Sequence, residues 1–388
     1  MIKLGIIGPN SGAGQLGRFL ALAANRLTCS LQAHISVQTI SSNSVEDWTD
    51  EHFDLSEIDS FFKNTDLIIY ETESISLELK EKLAEKLIPQ AEILNQFSNR
   101  FQEKLFFRQL KIKIPEFYYL KNAENLKDVE GKTFGKQWRL KNCEGGYDGK
   151  GQLTLDKISF LKASWESLGG QECLLEEEVP IFRELSIIST RFKSGEIIHF
   201  PIPVNIYKRG ILYRSRSPKI SKKVQDKLKS TSKKILNKLN YIGTCAIEFF
   251  QLENEEGVLL LNELAPRVHN SGHFSLEACN QDQFETHIKA ICDLPCSEIE
   301  LKFKYFSMTN LIGLTEEKFE LLKQKFNNFI ETEKLELEAV QYYWYHKSPA
   351  RSLRKMGHLT ICSNCEESLI KAENFLDELL SLTELCLT

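Results

Sequence analysis

Residues 245–264 read CAIEFFQLENEEGVLLLNEL, two apolar, strand-like runs at 245–251 and 258–264 on either side of Asn254, Glu255, Glu256 and Gly257. A four-residue turn between β-forming segments is a hairpin signal. Its centre lies midway between Glu255 and Glu256, which puts Glu248 opposite Glu263 on one sheet face, amid Ala246, Phe250 and Leu261. Side chains facing each other in this way lie ~4.5–5.5 Å apart at Cβ, and like charges destabilise the pair unless a cation joins them. Mg²⁺, held by one or two carboxylates together with nucleotide phosphates, resolves that conflict. The alternative is an exposed face on which both carboxylates are solvated.

Upstream, Gly145, Gly146, Tyr147, Asp148, Gly149, Lys150, Gly151 and Gln152 lie between strand-like segments at 137–142 and 152–155, and the lysine is not followed by Ser or Thr. The run is therefore no Walker A loop. It reads as a glycine-rich hairpin tip whose amides can approach a polyphosphate, with Lys150 and Lys141 as point charges. Gly12, Gly14 and Gly17 form a second glycine loop between an apolar strand at 2–8 and a helix at 16–25. Such a β-loop-α opening can hold a phosphate on backbone amides. NAD would also want a carboxylate at the end of the second strand, which reads Thr39, Ile40, Ser41, Ser42, Asn43 with no acid before Glu46. The phosphate of another ligand, or a plain tight turn, is the better reading.

The 388 residues suffice for two to three domains. A net charge of −5, with 42% hydrophobic and 27% charged residues, indicates an ordinary soluble globular protein and excludes nucleic-acid binding driven by global charge. Eight lysines at 219–239 recur among apolar positions at helical spacing, a solvated amphipathic face. The ten cysteines lack a secreted disulfide pattern, which points to the cytoplasm, and Cys362 and Cys365 have no second pair nearby to make a zinc site. No apolar run approaches the ~20 residues of a membrane helix.

After Glu263 come Leu264, Ala265, Pro266, Arg267, Val268, His269, Asn270, Ser271, Gly272 and His273. With the glycine run 145–152 and Arg354, Lys355, Met356, Gly357, His358, this closely resembles the 5-(carboxyamino)imidazole ribonucleotide synthases, ATP-grasp carboxylases of purine biosynthesis, over nearly the whole chain. The resemblance implies mixed α/β and α+β architecture: a Rossmann-like domain at 1–99, an ATP-grasp domain at 100–295 with a lid at about 110–177, and a small C-terminal domain at 296–388. It also implies a homodimer that uses ATP, Mg²⁺ and bicarbonate to carboxylate the exocyclic amine of aminoimidazole ribonucleotide through carboxyphosphate.

By the same resemblance, ATP would be held by Arg100, Lys141, Gly146, Gly149, Lys150, Gly151, Gln152, Glu176, Glu177, Glu178, Val179, Glu184 and Asn262, and Mg²⁺ by Glu248 and Glu263. Arg267, His269, Lys347 and Tyr147 would form the reacting centre. Gln15, Leu16, Glu73, Tyr147, Asp148, Lys347 and Arg354 would hold the ribonucleotide. The chain departs from the family in an extended first glycine loop, in Val204, and in Leu353, which stands where the family usually has glycine. A formate-using ATP-grasp enzyme acting on glycinamide ribonucleotide, and a catalytically silent nucleotide-binding relative, are the competing readings.

Overall fold

The computed structural model describes residues 1–8, 14–31, 34–40, 49–130, 137–146, 151–155, 157–252 and 258–384. The N-terminal part is a four-stranded parallel sheet in the order Glu51–Phe53, Ile35–Ile40, Ile2–Ile7, Leu67–Tyr70. Its central strands are short apolar runs because helices cover both faces. On the helix Gln15–Leu31, Leu20, Ala21, Ala24 and Leu27 fall on one face and are buried. Strand Ile2–Ile7 has its sequence neighbour on one side and Leu67–Tyr70 on the other, so the chain order reverses there. Ligands bind beyond the carboxyl ends of strands at such a point, and here those ends lead into Gly14 and Glu71.

A second, antiparallel sheet runs Phe117–Leu120, Cys173–Glu177, Trp138–Asn142, Gln152–Leu155. The third sheet has nine strands, and along its main path the order is Leu259–Ala265, Gly243–Leu252, Ile181–Arg191, Val204–Lys208, Ile211–Arg216, Tyr305–Ile312, Lys355–Ser363, Ala339–Trp344. The C-terminal strands therefore extend the central sheet, joined through Arg214–Thr309, Ser215–Met308 and Arg216–Ser307. The lysine-rich helix spans Lys222–Leu239 and buries Val224, Leu228, Ser232, Ile235 and Leu236, which leaves its lysines facing water as the periodicity requires.

One departure from the family pattern has a visible backbone cost. Leu353 has φ +67° and is 45% exposed. A Cβ in the left-handed region costs roughly 1–2 kcal/mol, whereas glycine loses about 0.5–1 kcal/mol through its freer unfolded chain. Leu353→Gly is expected to raise stability by up to about 1 kcal/mol, read as a higher thermal midpoint. A lower midpoint would show that the loop stores no such strain.

Candidate active site

The hairpin forms, with one correction. The expected register holds at Ala246–Ala265 and Ile247–Leu264, then shifts by one residue, so that Phe249 faces Leu261. Glu248 therefore lies against a bulge that contains both Asn262 and Glu263, not in a simple one-to-one pair. Bulges of this kind re-aim side chains beside functional sites. Glu248 is 6% exposed while Glu263 reaches solvent. Burial and the Glu263 charge push the Glu248 carboxyl well above its usual range. Tyr207 donates its hydroxyl to Glu248 Oε1 at 2.8 Å. On the neighbouring strand Glu184 shares the face, and burial followed by Glu263 raises it to about 7. Three acids thus share one face, two of them raised by desolvation and the Glu263 charge. Among the described residues no group of three or more His, Cys, Asp or Glu side chains is placed to hold a metal by itself, so a cation here would need oxygens from a ligand as well.

Next to this face lies a buried ionic cluster. Glu176 is 3% exposed and lies between two ammonium groups: Lys104 at 2.7 Å and Lys141, which also donates to it. Burial alone would raise Glu176, but the two lysines carry it down to about 2. Lys104 also donates to the Asn262 carbonyl at 2.8 Å, which ties the cluster to the bulge. Arg100 donates to the carbonyls of Asn142 at 2.7 Å and Gly146 at 3.1 Å and so buttresses the entry to the glycine run. At its exit Gly151 has φ +67°, a value suited to glycine, and the next residue, Gln152, pairs with Lys141. Glu178 is engaged by Arg139 and Thr154, so its side chain is committed within the protein, while the backbone amides of Glu177 and Glu178 donate to Glu116 and Gln137. Val179 follows them directly in the chain. Tyr147, Asp148, Gly149 and Lys150 lie outside the described residues.

Residues far apart in sequence meet on the other side of the Glu248 face. Arg267 donates to Glu73 at 3.1–3.2 Å. Lys347 Nζ donates to Gln15 Oε1 at 3.1 Å, and the Gln15 amide meets His273 Nε2 at 2.9 Å. Leu16, next along the same helix, packs its side chain into the core. His269 Nδ1 is 3.8 Å from Glu248 Oε1, so it links the acidic face to this cluster. Burial, reinforced by Arg267 and Lys355, holds the His269 imidazole well below its usual range, hence neutral. His269 Nδ1 accepts the Ser271 amide at 3.3 Å and lies 2.9 Å from the Ser271 hydroxyl; with Nδ1 as acceptor the ring proton of the neutral imidazole is on Nε2. Arg354 donates to the carbonyls of Ser348 and Pro349 at 3.1 and 3.0 Å, which fixes the loop that carries Lys347.

The first glycine loop differs from expectation. Gly17 donates its amide to Glu71 Oε2 at 2.6 Å, and Gly14 donates to the same carboxylate. The helix N-terminus is therefore already satisfied by a buried internal anion, and those two amides are not left for a phosphate. Burial pushes Glu71 up, and the two amides pull it back. Gly12 lies outside the described residues.

A family model for the ATP-grasp domain matches residues 105–284, and one for the phosphoribosylaminoimidazole carboxylase C-terminal domain matches 307–372. The N5-carboxyaminoimidazole ribonucleotide synthase of Bacillus subtilis is 33% identical over 369 residues, covering 93% of this chain and 92% of that protein. The chain belongs to the N5-carboxyaminoimidazole ribonucleotide synthase family. A solved synthetase of this family in complex with ADP superposes with a TM-score of 0.85 at 30% identity, covering 99% of this chain and 98% of that one. The Aspergillus clavatus synthase, solved with ADP and 5-aminoimidazole ribonucleotide, shares the fold at 22% identity with a TM-score of 0.83, covering 98% of both chains. The ATP-grasp architecture implied by the sequence resemblance is thus present.

Sequence reading missed several members of this buried network. Lys104 lies one helical turn after Arg100 on the helix Arg100–Gln109, and that i,i+4 spacing was the available signal. Glu71 and Tyr207 carry no local pattern that marks them out.

Proposed function

We propose that this protein uses ATP and bicarbonate to carboxylate the exocyclic amine of 5-aminoimidazole ribonucleotide, giving the N-carboxy product and ADP in purine biosynthesis. The observation that carries the reading is His269, 3.8 Å from Glu248 on the acidic face and continuous with the cluster of Arg267, Glu73, Gln15 and Lys347. Nucleotide chemistry on one side thereby adjoins ribonucleotide recognition on the other. Residues 100–295 would frame ATP, with 1–99 and 296–388 framing the ribonucleotide.

Bicarbonate is a weak nucleophile and must approach an anionic γ-phosphate, so fixed cations must offset the repulsion. Lys141 and the glycine run would hold ATP phosphates, with Lys104 and Arg100 supporting them from beneath, and Glu178, Val179 and Glu184 would border the adenosine. Glu248 and Glu263 would hold Mg²⁺, which when bound supplies positive charge at the phosphate oxygens. Arg267 would orient bicarbonate, and the Nε2–H of His269 would donate to a carboxyl oxygen. Tyr147 and Asp148 would contact the ribonucleotide, at a site that must keep water from a carboxylating agent that hydrolyses readily. Lys347 and Arg354 would hold the ribonucleotide phosphate. A reducing cytoplasm suits the free cysteines, and a homodimer fits the family; among the described residues no helix is long and apolar enough to cross a membrane.

The test is ADP release with aminoimidazole ribonucleotide, with and without bicarbonate. Strict dependence on both supports the reading. Turnover that instead requires formate and glycinamide ribonucleotide would replace it. Lys347→Met is expected to raise KM for the ribonucleotide about ten- to a hundredfold, the value of a lost charge-assisted contact, with KM for ATP unchanged. Equal weakening of both substrates would move Lys347 to a structural role.

A further inference from the structure

We propose that Gln283 is a positioning residue for the reaction, acting through His269; this rests on His269 being at the carboxylation centre. Gln283 is the first residue of the helix Gln283–Ile291 and is fully buried. Its Oε1 accepts the His269 amide at 3.0 Å, and its Nε2 donates to the His269 carbonyl at 2.7 Å. One amide side chain thus pairs with both backbone groups of the residue that touches the acidic face. Its Nε2 also lies 3.3 Å from His273 Nδ1, on the ring whose other nitrogen meets Gln15, itself bonded to Lys347. The clamp therefore reaches His269 in one step and the ribonucleotide cluster in two.

The surroundings keep this side chain in place. The Gln283 backbone N–H donates to Ser275 Oγ at 3.0 Å, and that hydroxyl donates to the Gly272 carbonyl at 2.6 Å. The preceding Asp282 caps the helix by accepting the amides of Phe284 and Glu285 at 2.9 Å, and it pairs with Arg26 on the N-terminal helix. Gly272 must be glycine for the clamp to exist, because a Cβ there would lie 2.5 Å from Gln283 Oε1. Both partners on His269 are backbone groups, so substitution of His269 leaves the clamp in place, whereas substitution of Gln283 releases the whole residue. A reacting group displaced by about 1 Å loses on the order of 10²-fold in rate.

The experiment is a double-mutant cycle of Gln283→Leu and His269→Ala in the full chain, measuring bicarbonate-dependent ADP formation with aminoimidazole ribonucleotide. In the wild-type background Gln283→Leu is expected to lower kcat about 10- to 100-fold with KM for ATP unchanged. In the His269→Ala background the same change should cost almost nothing more, because the group it positions is gone. Equal fold losses in both backgrounds, or an unaltered kcat in the first, would overturn the proposal. A fully active His269→Ala enzyme would overturn the reading of His269 itself and leave Gln283 no residue to position. Should Gln283→Leu fail to fold, as judged by its thermal midpoint with ADP, Gln283→Asn carries the same expectation, because it keeps the amide and loses its reach.

Discussion

Glu248→Gln is expected to cut ATP turnover by about 10²–10³-fold, the scale on which preorganised electrostatic groups act, while leaving the protein folded. The glutamine keeps the shape and can still accept the Tyr207 hydroxyl, but it removes a charge from the face that would hold the cation. Without divalent cation the variant should unfold at higher temperature than the wild type near neutral pH, because burial and the Glu263 charge raise the Glu248 carboxyl to about 8, so folding must bind a proton that the unfolded chain has released, a cost the glutamine does not carry. Steady-state kinetics at limiting and saturating Mg²⁺, together with thermal unfolding in chelator, check both halves. Near-normal turnover at limiting Mg²⁺ would refute the cation role. A lower midpoint in chelator would refute the electrostatic account of the bulge.

The largest stability effect is expected at Glu176. Glu176→Gln leaves Lys104 and Lys141 facing each other in a buried site, and breaking a buried ion pair by removing one partner costs on the order of 3–5 kcal/mol. Deprotonation of Lys141, which burial already favours, relieves part of this. The same group sets a pH dependence. The folded carboxyl is held at about 2 against 4.5 in the unfolded chain, so its contribution is present in full above pH 4.5 and is lost as pH falls toward 2. Urea unfolding should show the wild type losing stability across that window and the variant losing less of it. Parallel pH profiles would mean that the lysines do not depend on this carboxylate.

What could be read in the sequence and what could not divide along physical lines. The hairpin was legible because apolar residues on both sides of a polar turn specify a strand pair, and from the turn the two carboxylates came within one residue of their true alignment. The bulge was not legible: one extra residue changes the geometry without changing residue types on either side, so alternation cannot report it. The helix Gln15–Leu31 was legible in outline from its apolar face, but the role of its glycine loop was not, because the competing anion, Glu71, arrives from a strand more than fifty residues away. Glu103 and Lys104 are charged residues on the helix Arg100–Gln109, and they are buried because a distant strand meets them: Leu264 donates its amide to Glu103, and Lys104 donates to the Asn262 carbonyl. Gln283 is the extreme case, a neutral amide whose only distinction is the backbone it meets.

The joining of the C-terminal strands to the central sheet sets how the chain would behave if shortened. The strand Ile211–Arg216 is almost wholly buried, and its outer partner is Tyr305–Ile312. A chain cut near residue 300 would keep the residues proposed to hold the nucleotide, yet leave Arg214, Ser215 and Arg216 without their backbone partners and strip Tyr213 of the C-terminal core it packs in. Unpaired edges of this kind recruit other chains. Arg214 and Arg216 would also lose Asp377 and Glu373, so a truncation at that point should aggregate unless the C-terminal strands and helix are retained to cover the edge.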